Sequence, residues 1–196
     1  VDVKDKIKAL SFEIGCIASP DMKECAEWMV GQMPDYFFTV PASSSGKYHP
    51  EYALGEGGLL RHTQAAVRLA KTILLTETFG KPYGKKQQDA ILLALILHDG
   101  LKHGIKKNKY TVKNHPMLIR PYYEKLIAES TSVTGVDFWL NEAQRNALYN
   151  LIESHMGEWN GAGTEVMPKP VTPAQRFVHL CDYLASRKSL TFNFDV

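Results

Sequence analysis

An HDGLK run at residues 98–102 closes the apolar stretch ILLALIL at residues 91–97. An ionised Asp99 set against that stretch is costly to desolvate unless a cation or strong hydrogen bonds compensate it. A divalent metal is one natural compensator, with His98 and Asp99 as a ligand pair. A purely local reading uses the same residues: His98 serves a helix C-terminus, which favours cations, and Asp99 opens a turn before Gly100. Four more polar residues interrupt apolar faces: His62, His115, His155 and Asp182. Read singly, each histidine is an ordinary core or surface residue. Read together, imidazole nitrogen plus carboxylate oxygen suits Mn, Fe, Ni, Co or Zn better than calcium, which prefers all-oxygen shells.

Helices must carry these side chains. Apolar residues Val3, Ile7, Leu10, Ile14 and Ile17 recur at three- and four-residue spacing, which predicts an amphipathic helix over 3–17, with a second running to Met33. Residues 34–58 are rich in Pro, Ser and Gly and read as a long irregular segment, of the kind that is often functional. Helical spacing returns over 59–78 through Leu59, Ala66, Leu69, Ala70 and Ile73, with His62 on the same face. A helix over 86–98 is apolar on nearly every side, as a central core helix is. Pro116 suits a helix start and puts His115 at the entrance. A helix over 141–155 shows Ala147, Leu148, Leu151 and Ile152 on one side. Thr172 and Pro173 read as cap and first residue of a last helix whose inner face includes Phe177, Leu180 and Leu184. No strand pattern or repeat interrupts this, so the expected fold class is all-α.

With 196 residues, 44% of them hydrophobic, the chain can bury a core without staples. Its three cysteines, Cys16, Cys25 and Cys181, are odd in number and lack a CxxC pair, which fits a reducing cytoplasm; Cys16 and Cys25 read as core residues. A formal charge of +2 disfavours a dedicated duplex-DNA binder but leaves room for a small anionic substrate. No apolar run approaches the roughly 20 residues that span a bilayer, so no membrane association is expected. SSSGKYH at 43–49 lacks the first glycine and final hydroxyl of a phosphate-binding loop. It leads directly to the His62 helix, so Lys47, Tyr48 and His49 are either substrate contacts over the cleft or a solvated loop. Lys102, Lys106, Lys107, Lys109 and Lys113 form a basic cluster that is either solvated or attracts phosphate, nucleotide or single-stranded nucleic acid. Trp159 either stacks on a base or anchors its loop.

In order, the elements are GGLLRHT (57–63), HDGLK, NHP (114–116), ESHMGEWNG (153–161) and HLCDYLASR (179–187). This series resembles the HD superfamily of metal-dependent phosphohydrolases over about two thirds of the chain. GGLLRHT and HLCDYLASR are most similar to the HD phosphodiesterase and 3′-5′ exoribonuclease branch. The resemblance implies a single HD-type helical bundle: a core at 57–189, N-terminal helices and a long loop at 1–56 packed on it, and a tail at 190–196. It implies that His62, His98, Asp99 and Asp182 bind a first metal and His115 and His155 a second, with Asp99 bridging. One or two divalent transition metal ions would then activate water against a phosphate ester of a nucleotide or short single-stranded nucleic acid. Asp99 and Lys102 are the expected catalytic residues, with Lys102, Lys47 and Tyr48 as substrate contacts. Two departures bear on this. The family writes HDxGK where this chain has HDGLK, so Lys102 reaches the His98 face only if the helix continues through Gly100; its alternative is a helix-terminal cation. Several relatives have consecutive histidines where this chain has His155-Met156, which leaves a one-metal enzyme open. His179, three residues before Asp182, either orients that carboxylate or faces solvent. The competing class is a non-catalytic HD-type metal- or nucleotide-binding regulatory module.

Overall fold

The computed structural model describes residues 1–43, 46, 49–157 and 167–194. Among them the chain is all-helical, without strands: α1 (Val3–Ala9), α2 (Ser11–Gly15), α3 (Pro20–Gly31), α4 (Gly58–Leu74), α5 (Glu77–Gly80), α6 (Lys85–Leu97), α7 (His115–Thr134), α8 (Glu142–Glu153) and α9 (Pro173–Ala185). Helix α6 is the axis of the bundle. Residues Ile91, Leu92, Leu93, Ala94, Leu95, Ile96 and Leu97 are all buried, because α3, α4, α8 and α9 pack around it.

Local chemistry sets most helix starts. Thr172 accepts from Gln175 N, and Gln175 returns a bond to the Thr172 amide, so two otherwise orphaned donors are satisfied together. Asn141 and Gln144 repeat this at α8. Helix α3 begins with Pro20, and the main-chain amides of Ala18 and Ser19 just before it donate to the Asp89 carboxylate at 2.8 and 2.9 Å. That bond pair explains a buried acid on α6 and ties α3 to it.

Three elements differ from the sequence expectation. The predicted 3–17 helix is broken at Leu10, whose φ of −115° and ψ of 16° leave the helical region. The 59–78 helix stops at Leu74, where Thr76 caps the short α5 by accepting from Phe79 N. The inner stripe of α9 is Ala174, Phe177, Val178, Cys181 and Ala185, whereas Leu180 is exposed. Small residues there let α9 lie close along α4 and α6.

The long segment before α4 is not loose. It contains 3₁₀ turns at Asp35–Phe38 and Glu51–Ala53, and Phe37 and Ala53 are fully buried. Tyr52 Oη donates to Ala185 O at 2.6 Å, and Phe192 and Phe194 pack against its ring. Cys25 and Cys181 are core residues, while Cys16 is half-buried. No helix among the described residues is long and apolar enough to cross a membrane.

Candidate metal centre

The polar side chains gather where several helix ends meet. His62 lies just past the first turn of α4. Two glycines make that start possible: Gly57 takes φ 71°, and a β-carbon at Gly58 would collide with the Ala53 carbonyl. Arg61 then laces the preceding segment to the helix, donating to the carbonyls of Tyr52, Leu54 and Glu56. His98 follows the last residue of α6, His115 opens α7, His155 follows α8, and Asp182 sits in the last turn of α9. All four histidines and Asp99 are buried to 1% exposure or less.

Asp99 divides the group in two. Its Oδ2 lies 3.6 Å from His62 Nε2 and 3.5 Å from His98 Nε2. Asp182 Oδ1 completes that side, 2.9 Å from His62 Nε2 and 3.5 Å from His98 Nε2. Asp99 Oδ1 faces the other way, 2.9 Å from His115 Nε2 and 3.7 Å from His155 Nε2. The two sets, His62–His98–Asp99 and Asp99–His115–His155, each offer ligand atoms within 4.8 Å of one another.

Three imidazoles are aimed by main-chain carbonyls. His98 Nδ1 bonds Leu95 O at 2.7 Å, His115 Nδ1 bonds Val112 O at 2.9 Å, and His155 Nδ1 bonds Ile152 O at 2.7 Å. Each Nε2 is thereby turned toward the cluster, the arrangement by which second partners orient metal-binding histidines. Asp99 Oδ1 and His115 Nε2, although close, have no hydrogen-bond partner among the described residues. Buried nitrogen and oxygen atoms converging on one place, two of them without a hydrogen-bond partner, fit a cation, and the mixed set fits a transition metal.

The charges agree. Burial alone would raise the Asp99 carboxyl, but Lys102, His98 and His115 outweigh it and hold the group well below the usual carboxylate range. For Asp182, His62 and His98 likewise overcome burial and lower the value. Burial pulls His98 down, but Asp99 and Asp182 outweigh that and raise it. Burial and then His98 push His155 down to about 3. Two ionised carboxylates therefore draw positive charge into one half of the cluster, while in the other half His155 stays neutral, the form in which an imidazole can take a metal.

All six residues expected to bind metal lie in this cluster. Lys102 arrives by a different route: α6 ends at Leu97, and successive turns, with Gly100 N bonding Leu97 O and Lys102 N bonding Asp99 O, fold it back. Its Nζ sits 2.6 Å from Asp99 Oδ2. That turn is held from outside by Tyr36 Oη on Gly104 O and by His103 and Asn108 bonding each other's main chain. These positioning residues carry no local signal in the sequence. His179 does not orient Asp182; its Nδ1 bonds His155 O at 2.8 Å, and its ring lies where a β-carbon on Gly157 would be. Lys47, Tyr48 and Trp159 lie outside the described residues. His49, in contrast, is at the cluster, its ring 5.5 Å from that of His62 and edge-on to it. Burial, then His62 and Lys102, pull it down to about 3, so it is neutral.

A family model described as HD domain matches residues 59–187. No curated protein and no solved structure gives a significant match to the chain.

Proposed function

Because the chain belongs to the HD-domain family, whose members are generally metal-dependent phosphohydrolases, we propose that it hydrolyses a phosphate ester of a nucleotide or short single-stranded nucleic acid. The observation that carries this reading is the division of Asp99: one oxygen faces His62 and His98, the other His115 and His155. His62, His98, Asp99 and Asp182 would hold one divalent ion, and Asp99, His115 and His155 a second. When bound, such ions supply Lewis acidity: they lower the pKa of a water nucleophile toward neutrality and offset charge on phosphoryl oxygens.

The chain's own residues do the rest. Asp99 fixes both halves in one frame, and the carbonyl-bonded imidazoles hold their orientation before any ligand arrives. Lys102 places an ammonium at the edge of the cluster, where a phosphoryl oxygen gains a charge-assisted bond. Between Asp99 and Glu124 the sequence carries Lys102, Lys106, Lys107, Lys109, Lys113 and Arg120 and no acid. Arg120 is engaged with Glu153, but Lys106, Lys107 and Lys109 are exposed in the segment that follows Lys102. In a chain of net charge only +2, this local excess favours an anionic substrate.

The test is a panel of nucleoside monophosphates, triphosphates, a small phosphodiester and short oligonucleotides, offered to protein loaded in turn with Mn, Fe, Ni, Co and Zn. Hydrolysis that Asp99→Ala abolishes supports the reading. Stoichiometric metal with nucleotide binding and no product would select the regulatory module instead.

A further inference from the structure

We propose that His49 is a positioning residue for His62, holding its imidazole through one shared water between the two Nδ1 atoms. The inference rests on the metal-centre reading above and concerns one ligand within it. Of the four cluster histidines, three have Nδ1 tied to a main-chain carbonyl three residues earlier. His62 is the exception: its Nδ1 is buried with no hydrogen-bond partner among the described residues. The reason is structural. His62 sits within α4, where the carbonyls of the preceding turn point along the helix to main-chain N–H groups, and its Nδ1 meets none of them.

A second buried atom is in the same condition. His49 Nδ1 also has no partner among the described residues, and its ring is the one stacked edge-on against His62, with centroids 5.5 Å apart. Two adjacent imidazoles, His62 buried and His49 half-buried, with one buried, orphaned nitrogen each are costly as they stand, since an unsatisfied buried polar atom costs about 1–3 kcal/mol. Neither makes a direct bond to the other, so a bridging water satisfies both at once. His49 is held in place for this. Pro50 follows it, the Glu51–Ala53 turn comes next, and Arg61, the neighbour of His62, grips that turn through the Tyr52 and Leu54 carbonyls. Movement of the segment and orientation of His62 are thus coupled.

The experiment is titration of metal-free wild type, His49→Ala and His49→Asn with Co(II), read by calorimetry and by the visible ligand-field absorption of the ion. Removing an orienting partner typically weakens metal binding about 10- to 100-fold. His49→Ala should therefore weaken one equivalent by that factor and shift its absorption, leaving any other equivalent unchanged. His49→Asn, whose amide lies near the place of Nδ1, should recover most of the affinity. His179→Ala, which loosens His155, should act on the other equivalent. Circular dichroism and melting of the metal-free variants separate misfolding from loss of orientation. Wild-type protein that binds Co(II) while His49→Ala binds it equally, with the same spectrum, overturns this inference alone. Wild-type protein that binds no metal overturns the metal-centre reading and this inference with it.

Discussion

Replacing Lys102 with Met tests whether its ammonium compensates Asp99 in the absence of metal. The two charges are 2.6 Å apart, and the carboxylate side chain is only 2% exposed. Methionine keeps an unbranched apolar stem and removes the charge. Breaking a buried pair by deleting one partner costs about 3–5 kcal/mol when nothing replaces it. Here His98, 3.5 Å from the same oxygen and already raised in pKa, takes up part of the deficit. We therefore expect the metal-free variant to lose roughly 2–3 kcal/mol, below that range. A divalent ion on Asp99 removes the need for the ammonium and is relieved of its repulsion, so the metal-loaded variant should lose almost nothing. The thermodynamic cycle then requires metal to bind the variant more tightly, by roughly 30- to 140-fold at about 1.4 kcal/mol per decade. Urea denaturation of the metal-free and Mn(II)-loaded forms measures one side of the cycle, and calorimetric titration measures the other. Unchanged metal-free stability, or weaker metal binding by the variant, would refute the argument and leave Lys102 as a substrate contact only.

Gly58→Ala should destabilise the protein by about 1–3 kcal/mol, the usual cost of forced overpacking, because the new β-carbon meets the rigid Ala53 carbonyl; denaturation with urea checks it, and a neutral result would mean that the 51–53 turn yields. His179→Ala removes the bond to His155 O and should cost about 1 kcal/mol of stability, read by the same assay. For pH, His155 is held down to about 3 from an ordinary 6.5. The unfolded chain takes up that proton first, so this group lowers stability progressively as pH falls from 6.5 toward 3. Melting curves of metal-free wild type and His155→Gln between those limits should show a flatter acid slope in the variant, and parallel slopes would sink the assignment. Replacing Lys106, Lys107 and Lys109 with Ala should raise KM for an oligonucleotide more than for a mononucleotide and reduce its salt dependence, with kcat little changed; equal effects on both substrates would remove the lysines from the binding track.

What could be read from the chain alone was whatever neighbouring residues decide. The Thr172–Gln175 and Asn141–Gln144 caps are three-residue patterns, and the apolar run at the end of α6 declares its own burial. That the six residues belong together was legible because histidine and carboxylate on apolar faces need a reason to be there. Long-range geometry was not legible. On the inner face of α9, Phe177 was read correctly, but the choice of Leu180 and Leu184 beside it favoured bulky residues, whereas close packing along α4 selected Ala174, Cys181 and Ala185. Helical spacing left His179 either orienting Asp182 or facing solvent, whereas its ring turns to a carbonyl 24 residues earlier. Lys102 was expected to need a continued helix, whereas turns braced by Tyr36, from another segment, deliver it to Asp99.

The location of the cluster follows from how helices end. The last carbonyls of a helix have no intrahelical donor, and an imidazole placed just beyond can supply one. His98 does this for Leu95 at the end of α6, and at the end of α8 the Ile152 carbonyl, which also takes the His155 amide, accepts from His155 Nδ1. One bond to a helix-end carbonyl then aims an Nε2 inward. His115 uses the turn before α7 in the same way, through Val112. Helix ends that meet at one point therefore present oriented imidazoles with no dedicated scaffold, and Asp99, directly after His98, supplies the charge they surround. His62 stands outside this economy because it lies within a helix, so its orientation falls to the segment that precedes α4. That difference explains why the segment carries a half-buried histidine of its own, edge-on to His62, and why Arg61 binds it so closely to the helix.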